Sequence, residues 1–134
     1  MKRRNFLLAP MVLVTAPTWA NTVQSDEHIE SSTIVHVVNF WLKKDLSEKE
    51  KKNFVGFFEE LRKIDVIKTL NYGIPAQTNP RPVVDNSFDY TLIVTFKDLN
   101  DITIYETHPT HLKAIEKYQH LWTKVIVKDT SIIK

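Results

Sequence analysis

Residues 34–42 read Ile34-Val35-His36-Val37-Val38-Asn39-Phe40-Trp41-Leu42. Their β-branched and aromatic side chains predict a strand. Alternation puts His36, Val38, Phe40 and Leu42 on one face, and Val35, Val37, Asn39 and Trp41 on the other. Both faces are largely apolar. An antiparallel strand with one solvated face alternates apolar and polar residues more cleanly, so this sheet is expected to be covered on both sides.

Working outward toward the C-terminus, Lys43 to Leu46 reads as a turn, and Ser47-Glu48-Lys49-Glu50 is a capping box that starts a helix. Phe54, Phe57, Phe58 and Leu61 then fall at i, i+3, i+4 and i+7, a single apolar stripe among Lys and Glu. Gly56 slightly weakens that helix. Val66 to Ile74 reads as a second strand. Pro75 to Ser87, with three prolines, reads as a long loop of the kind that often carries function. Phe88 to Phe96 is the third strand. Asp98 or Asn100 can cap a short helix to about Thr107, and Pro109 forces His108 out of helical geometry and opens another helix bearing Leu112, Ile115 and Tyr118. Leu121 and Trp122 end that helix, and Thr123 to Asp129 forms a fourth strand.

The order β-α-β-β-α-β, with its second helix broken at His108, predicts an α+β ferredoxin-like fold with helices on one face of a four-stranded antiparallel sheet. The other face then exposes Val35, Val37, Trp41 and Ile93. An apolar sheet face of that size calls for a partner, and a second copy packed sheet to sheet, as a homodimer, is the natural one.

Toward the N-terminus, residues 21–33 are polar and read as a flexible leader. Residues 1–20 have the pattern of a signal peptide. Lys2, Arg3 and Arg4 precede an apolar run from Phe6 to Val14, and Thr18-Trp19-Ala20 offers a cleavage site. The run is too short to span a bilayer and Pro10 interrupts it, so no stable membrane anchor is expected after cleavage. Arg3-Arg4 followed by Asn5-Phe6-Leu7 also resembles a twin-arginine signal. The expected location is periplasmic or secreted, with residues 34–134 as the folded domain.

The whole chain has 134 residues, enough for one domain, and a formal net charge of +2. Three of its 18 basic residues and none of its 16 acidic ones lie before Asn21, so the processed chain carries −1. That near-neutral balance gives no footprint for nucleic acid. There is no cysteine, which excludes disulfides, thiol nucleophiles and cysteine-based metal sites. Two glycines, Gly56 and Gly73, leave no room for a Gly-rich phosphate loop, and no cofactor is expected. His108 and His111 are three apart, but Pro109 breaks the helix between them and no HExxH motif is present, so no metal site is expected.

Three segments carry a family resemblance: Val35-His36-Val37-Val38-Asn39-Phe40, then Tyr105-Glu106-Thr107-His108-Pro109-Thr110-His111, then Trp122 leading into Val125, Val127 and Asp129. In this order and frame they resemble the stress-responsive A/B barrel (Dabb) family over roughly Thr33 to Ile132. Membership implies that two sheets pair into a dimeric α/β barrel. The Tyr-x-x-His-Pro-x-His segment is similar to that of a plant polyketide cyclase of the family. By that likeness Tyr105 and His111 form the catalytic pair and His36 and Trp122 line the pocket. Phe58, on the stripe of the first helix, is assigned to the same substrate-binding set. The long Pro-rich loop and the export signal depart from the cyclase.

The residue types suit proton abstraction next to a carbonyl. His111, in the first turn of a helix, is disfavoured as imidazolium and so can act as a base, while Tyr105 can bond a carbonyl or enolate oxygen. The alternative roles are structural: His111 capping backbone groups, Tyr105 packed with a satisfied hydroxyl, and His36 buried and bonded to backbone. Two functional readings follow. One is a cofactor-free cyclase, isomerase or lyase acting on a small apolar carbonyl compound. The other is a non-enzymatic dimer that binds a small apolar ligand or protects under stress. An open cavity among these residues favours the first, and a filled core the second.

Overall fold

The structure is a computed structural model that describes residues 32–133. The expected signal peptide, and the leader as far as residue 31, lie outside the described residues. The elements are β1 (Ile34–Leu42), α1 (Glu48–Leu61), β2 (Thr69–Gly73), β3 (Tyr90–Phe96), α2 (Leu99–Thr107), α3 (Pro109–Tyr118), one 3-10 turn (Gln119–Leu121) and β4 (Trp122–Ser131). All strand pairs are antiparallel in the order β2-β3-β1-β4, which is the ferredoxin-like α+β fold expected from the sequence.

The two faces of β1 settle where the core lies. Ile34, His36, Val38, Phe40 and Leu42 are buried beneath the helices, alternating with half-buried residues on the other side. Leu70 from β2 and Leu92, Val94 and Phe96 from β3 continue the buried face, and Phe54, Phe57, Phe58 and Leu61 of α1 close over it. The start of α1 is fixed by both halves of the capping box: Ser47 Oγ accepts from Glu50 N–H, and Glu50 accepts from Ser47 N–H. On the opposite face Val35, Val37, Asn39 and Trp41 stand beside Ile93 and Ile126, with Thr91, Thr95, Lys124 and Lys128 in register around them.

Several boundaries differ from the sequence reading, each for a local reason. Val66 to Lys68 lie outside β2, because Ile64 and Ile67 close turns on the carbonyls of Leu61 and Ile64, and Lys68 N–H only then reaches Thr95. β3 starts at Tyr90 instead of Phe88, since the Asp89 carboxylate accepts the Leu42 N–H at 2.7 Å where β1 and β4 shift register. β4 begins at Trp122 and runs to Ser131, longer at both ends than expected, because it pairs with the whole of β1. Ser32 N–H donates to the Ile132 carbonyl and Ile132 N–H to that of Thr33, so the folded domain takes in the last two residues of the leader. In α3 the inward residues are Ala114 and Tyr118. Leu112 is 54% exposed, because it lies two positions from Ala114 and so on the opposite side of the helix from the buried Ala114 and Tyr118.

Candidate functional site

The junction of α2 and α3 builds the site. Pro109 cannot follow a helical residue comfortably, and His108 is extended with φ −64° and ψ 133°. Its ring is occupied as a cap: Thr110 N–H donates to His108 Nδ1 at 3.1 Å. The break brings Tyr105, in the last turn of α2, against His111, in the first turn of α3, with ring centroids 4.4 Å apart. From β1 below, His36 packs edge-on against Tyr105 at 5.7 Å and Phe96 at 6.2 Å.

These side chains surround a cavity of about 250 Å³. Its sheet wall is His36, Val38, Phe40 and Leu92, and Tyr105, Glu106, His111 and Ile115 approach it from the helices. Phe57 and Trp122 close one end. Val125, Val127 and Asp129 form the side along the edge strand β4, which lies on one edge of the sheet. A larger crevice of about 690 Å³ between α1 and α3 is lined by Glu50, Lys52, Lys117 and His120 among others. Glu50, Lys52 and Lys117 give it charged walls, and none of Tyr105, His111 and His36 borders it.

Tyr105, His111, His36 and Trp122 therefore meet around one space. Phe58, assigned to the same set, does not. It is fully buried, stacked on Tyr72 at 4.7 Å and packed against Phe54, while Phe57 reaches the cavity in its place. The sequence reading also missed Asp129. Its carboxylate accepts a 2.6 Å hydrogen bond from His36 Nδ1, with the His36 side chain 9% exposed and that of Asp129 47% exposed. The signal was available, because Val125, Val127 and Asp129 alternate onto one face and Asp129 stands opposite His36 in the register. His36 is thus bonded to a side chain, not to the backbone.

The bonding fixes which ring nitrogens are free. A carbonyl oxygen only accepts, so His111 Nδ1 donates to the Glu106 carbonyl at 3.1 Å, leaving Nε2 with its lone pair. His36 Nδ1 is likewise engaged, by the Asp129 carboxylate. Burial holds the His111 imidazolium below the ordinary histidine range. The Glu106 carbonyl bond opposes that shift, and the neighbouring His36 and His108 reinforce it. The cause is mainly loss of water, where the sequence had pointed to the helix end. Tyr105 is 1% exposed, and burial pushes its phenol far up, so it stays protonated. Among the described residues its hydroxyl makes no hydrogen bond, yet no shut-off polar side-chain atom is left unbonded, so that hydroxyl keeps some accessibility, and Tyr105 lines the cavity. No group of three or more His, Asp or Glu able to hold a metal occurs among the described residues, and no helix among them is long and apolar enough to cross a membrane.

The fold and this cavity define a ferredoxin-like α+β domain with two histidines and a tyrosine gathered around one space. Residues 34–132 match the Stress responsive A/B Barrel Domain, and the chain belongs to that family. Among solved structures it is similar to a dimeric ferredoxin-like protein of unknown function from Bacteroides fragilis, at 25% identity and TM-score 0.58 over 75% of this chain and 97% of that one. It is also similar to a Dabb family protein from Mesorhizobium loti, at 22% identity and TM-score 0.63 over 76% of this chain and 98% of that one. A third is the hydroxynitrile lyase of Passiflora edulis, at 20% identity and TM-score 0.63 over 78% of this chain and 97% of that one. No curated protein matches the chain.

Proposed function

We propose that this chain is an exported, homodimeric, cofactor-free acid–base enzyme, a cyclase, isomerase or lyase acting on a small apolar carbonyl compound. The observation that carries the reading is that Tyr105 and His111, with ring centroids 4.4 Å apart, both line the same largely apolar cavity. His111 Nε2 is the base that takes a proton next to the carbonyl, and Tyr105 donates to the carbonyl oxygen, where negative charge develops. A phenol kept protonated by burial suits the donor role, and an imidazole kept neutral by burial suits the base. Asp129 orients His36, which borders Tyr105. Ring closure, the chemistry of the cyclase that the Tyr105–His111 segment resembles, needs such a base and donor. Hydroxynitrile cleavage, the chemistry in the name of the Passiflora neighbour, needs instead a base for the hydroxyl proton and an acid for the departing cyanide.

Two further parts of the proposal rest on other observations. The open sheet face with Val35, Val37, Trp41 and Ile93 supports a sheet-to-sheet dimer, and the Bacteroides fragilis neighbour is dimeric. The charged-then-apolar leader supports export through a cleaved signal.

The test is exchange of the α-protons of acetophenone in heavy water, followed by NMR, on the wild type, His111→Ala and Tyr105→Phe, with melting temperatures on the same samples. Exchange lost in both variants at little changed melting temperature is the expected result. Acetophenone bound but not exchanged by the wild type identifies a ligand-binding protein without this chemistry. Strong destabilisation of both variants with no binding returns the two residues to a structural role.

A further inference from the structure

Glu106 and Asp129 line both the 250 Å³ cavity and a second depression of about 480 Å³ between α2 and the end of β4, so two acidic residues stand where the two adjoin. No lysine or arginine lines either space among the described residues. The field of Glu106 reaches the working groups. Burial is the larger influence on both Tyr105 and His111, and the negative charge of Glu106 acts on each in addition. Inside, the nearly fully buried Tyr105 offers its hydroxyl to a ligand.

Size and charge together narrow what can enter. A dry cavity of about 150 Å³ is enough for benzene, so about 250 Å³ accommodates one ring with a short substituent. An anionic substituent gives up its hydration, finds no lysine or arginine, and meets the carboxylate of Glu106, while that of Asp129 is paired with His36. A neutral carbonyl meets the Tyr105 hydroxyl, and a cationic group meets Glu106. Resting on the reading of this cavity as the ligand site, we propose that it takes single-ring compounds whose polar substituent is neutral or cationic. Glu106 turns away carboxylates of the same shape.

Benzamide, benzamidine and benzoate are near-isosteric and differ in charge, so titrating each into the full chain by calorimetry isolates the effect. Benzoate binds at least about tenfold more weakly than benzamide, and benzamidine at least as tightly as benzamide. Glu106→Gln narrows the benzamide-to-benzoate ratio by at least about threefold. Glu116→Gln, which removes the same charge from an exposed position on α3, leaves the ratio unchanged. Benzoate binding as well as benzamide, no binding of any of the three, or equal effects of the two substitutions overturns the proposal. Charge-ordered binding without proton exchange sinks the enzymatic reading and leaves this one standing. Exchange without charge order does the reverse.

Discussion

Gly56 lies in the middle of α1, where alanine is favoured over glycine by about 0.8–1.0 kcal/mol in an unpacked helix. Propensity alone therefore makes Gly56→Ala stabilising, and the structure reverses the sign. A Cβ at this position would stand 2.6 Å from the Tyr118 hydroxyl oxygen, closer than such atoms approach. Tyr118 is buried and donates that hydroxyl to Glu60 Oε1 at 3.3 Å, so its ring cannot swing away freely. Forcing α1 and α3 apart costs about 1–3 kcal/mol, as over-packing does. The strained Tyr118–Glu60 bond, long and partly exposed, adds at most about 0.5 kcal/mol. Against the propensity gain, Gly56→Ala is left destabilising by up to about 2.7 kcal/mol, at about 4–8 °C of melting temperature per kcal/mol for a domain of this size. In a Tyr118→Phe background the clashing oxygen is gone, and the same change stabilises by up to about 1 kcal/mol. Urea unfolding of the four proteins at one fixed concentration gives a coupling energy of about 1 kcal/mol or more. The consequence extends to the site, because α1 carries Phe57 and α3 carries His111, so ligand affinity falls with Gly56→Ala alone. Greater stability in both backgrounds would refute the account of why a glycine sits here.

Three other expectations follow from single features. Burial lowers the His111 proton affinity in the folded chain, so its NMR titration midpoint lies below the ordinary 6.5. The sign for stability is then fixed: the contribution is present above 6.5 and is lost as pH falls through the folded-state value, and a midpoint at or above 6.5 contradicts it. Val37→Glu on the open sheet face halves the mass seen by light scattering or unfolds the chain, by placing a carboxylate in an apolar interface with the cross-strand Lys128 to offset it only in part, whereas a wild-type monomer refutes the dimer outright. Mass spectrometry of exported protein finds Asn21 as the first residue, and an intact Met1 in the exported form rejects the cleavage site.

What the sequence disclosed and what it withheld divide along physical lines. Period-two alternation in residues 34–42 and 90–96, the Ser47–Glu50 box and Pro109 are local signals, and the structure uses each as read. Strand ends were not legible, because they depend on distant partners, such as the Asp89 carboxylate that takes the Leu42 N–H. Helical rotation was not legible either. Phe57 and Phe58 share one stripe at the level of periodicity, and only the packing of α1 sends Phe57 to the cavity and Phe58 to Tyr72. Leu112 illustrates the same limit, since the side of α3 that packs inward is the one with Ala114 and Tyr118, and leucine is left on the other. The convergence of Tyr105, His111, His36 and Trp122 came through the family resemblance, whereas the Asp129–His36 pair needed strand register.

Central to the account is that ligands occupy the cavity beneath α2 and α3, in preference to the larger charged crevice between α1 and α3. Intermolecular nuclear Overhauser contacts from bound benzamide locate it directly. The account predicts contacts from the ligand ring to the Trp122 indole, the Tyr105 ring and the Val127 methyl groups. Contacts to Val55, Lys117 and His120 in their place would put the ligand in the crevice and contradict the assignment of the site.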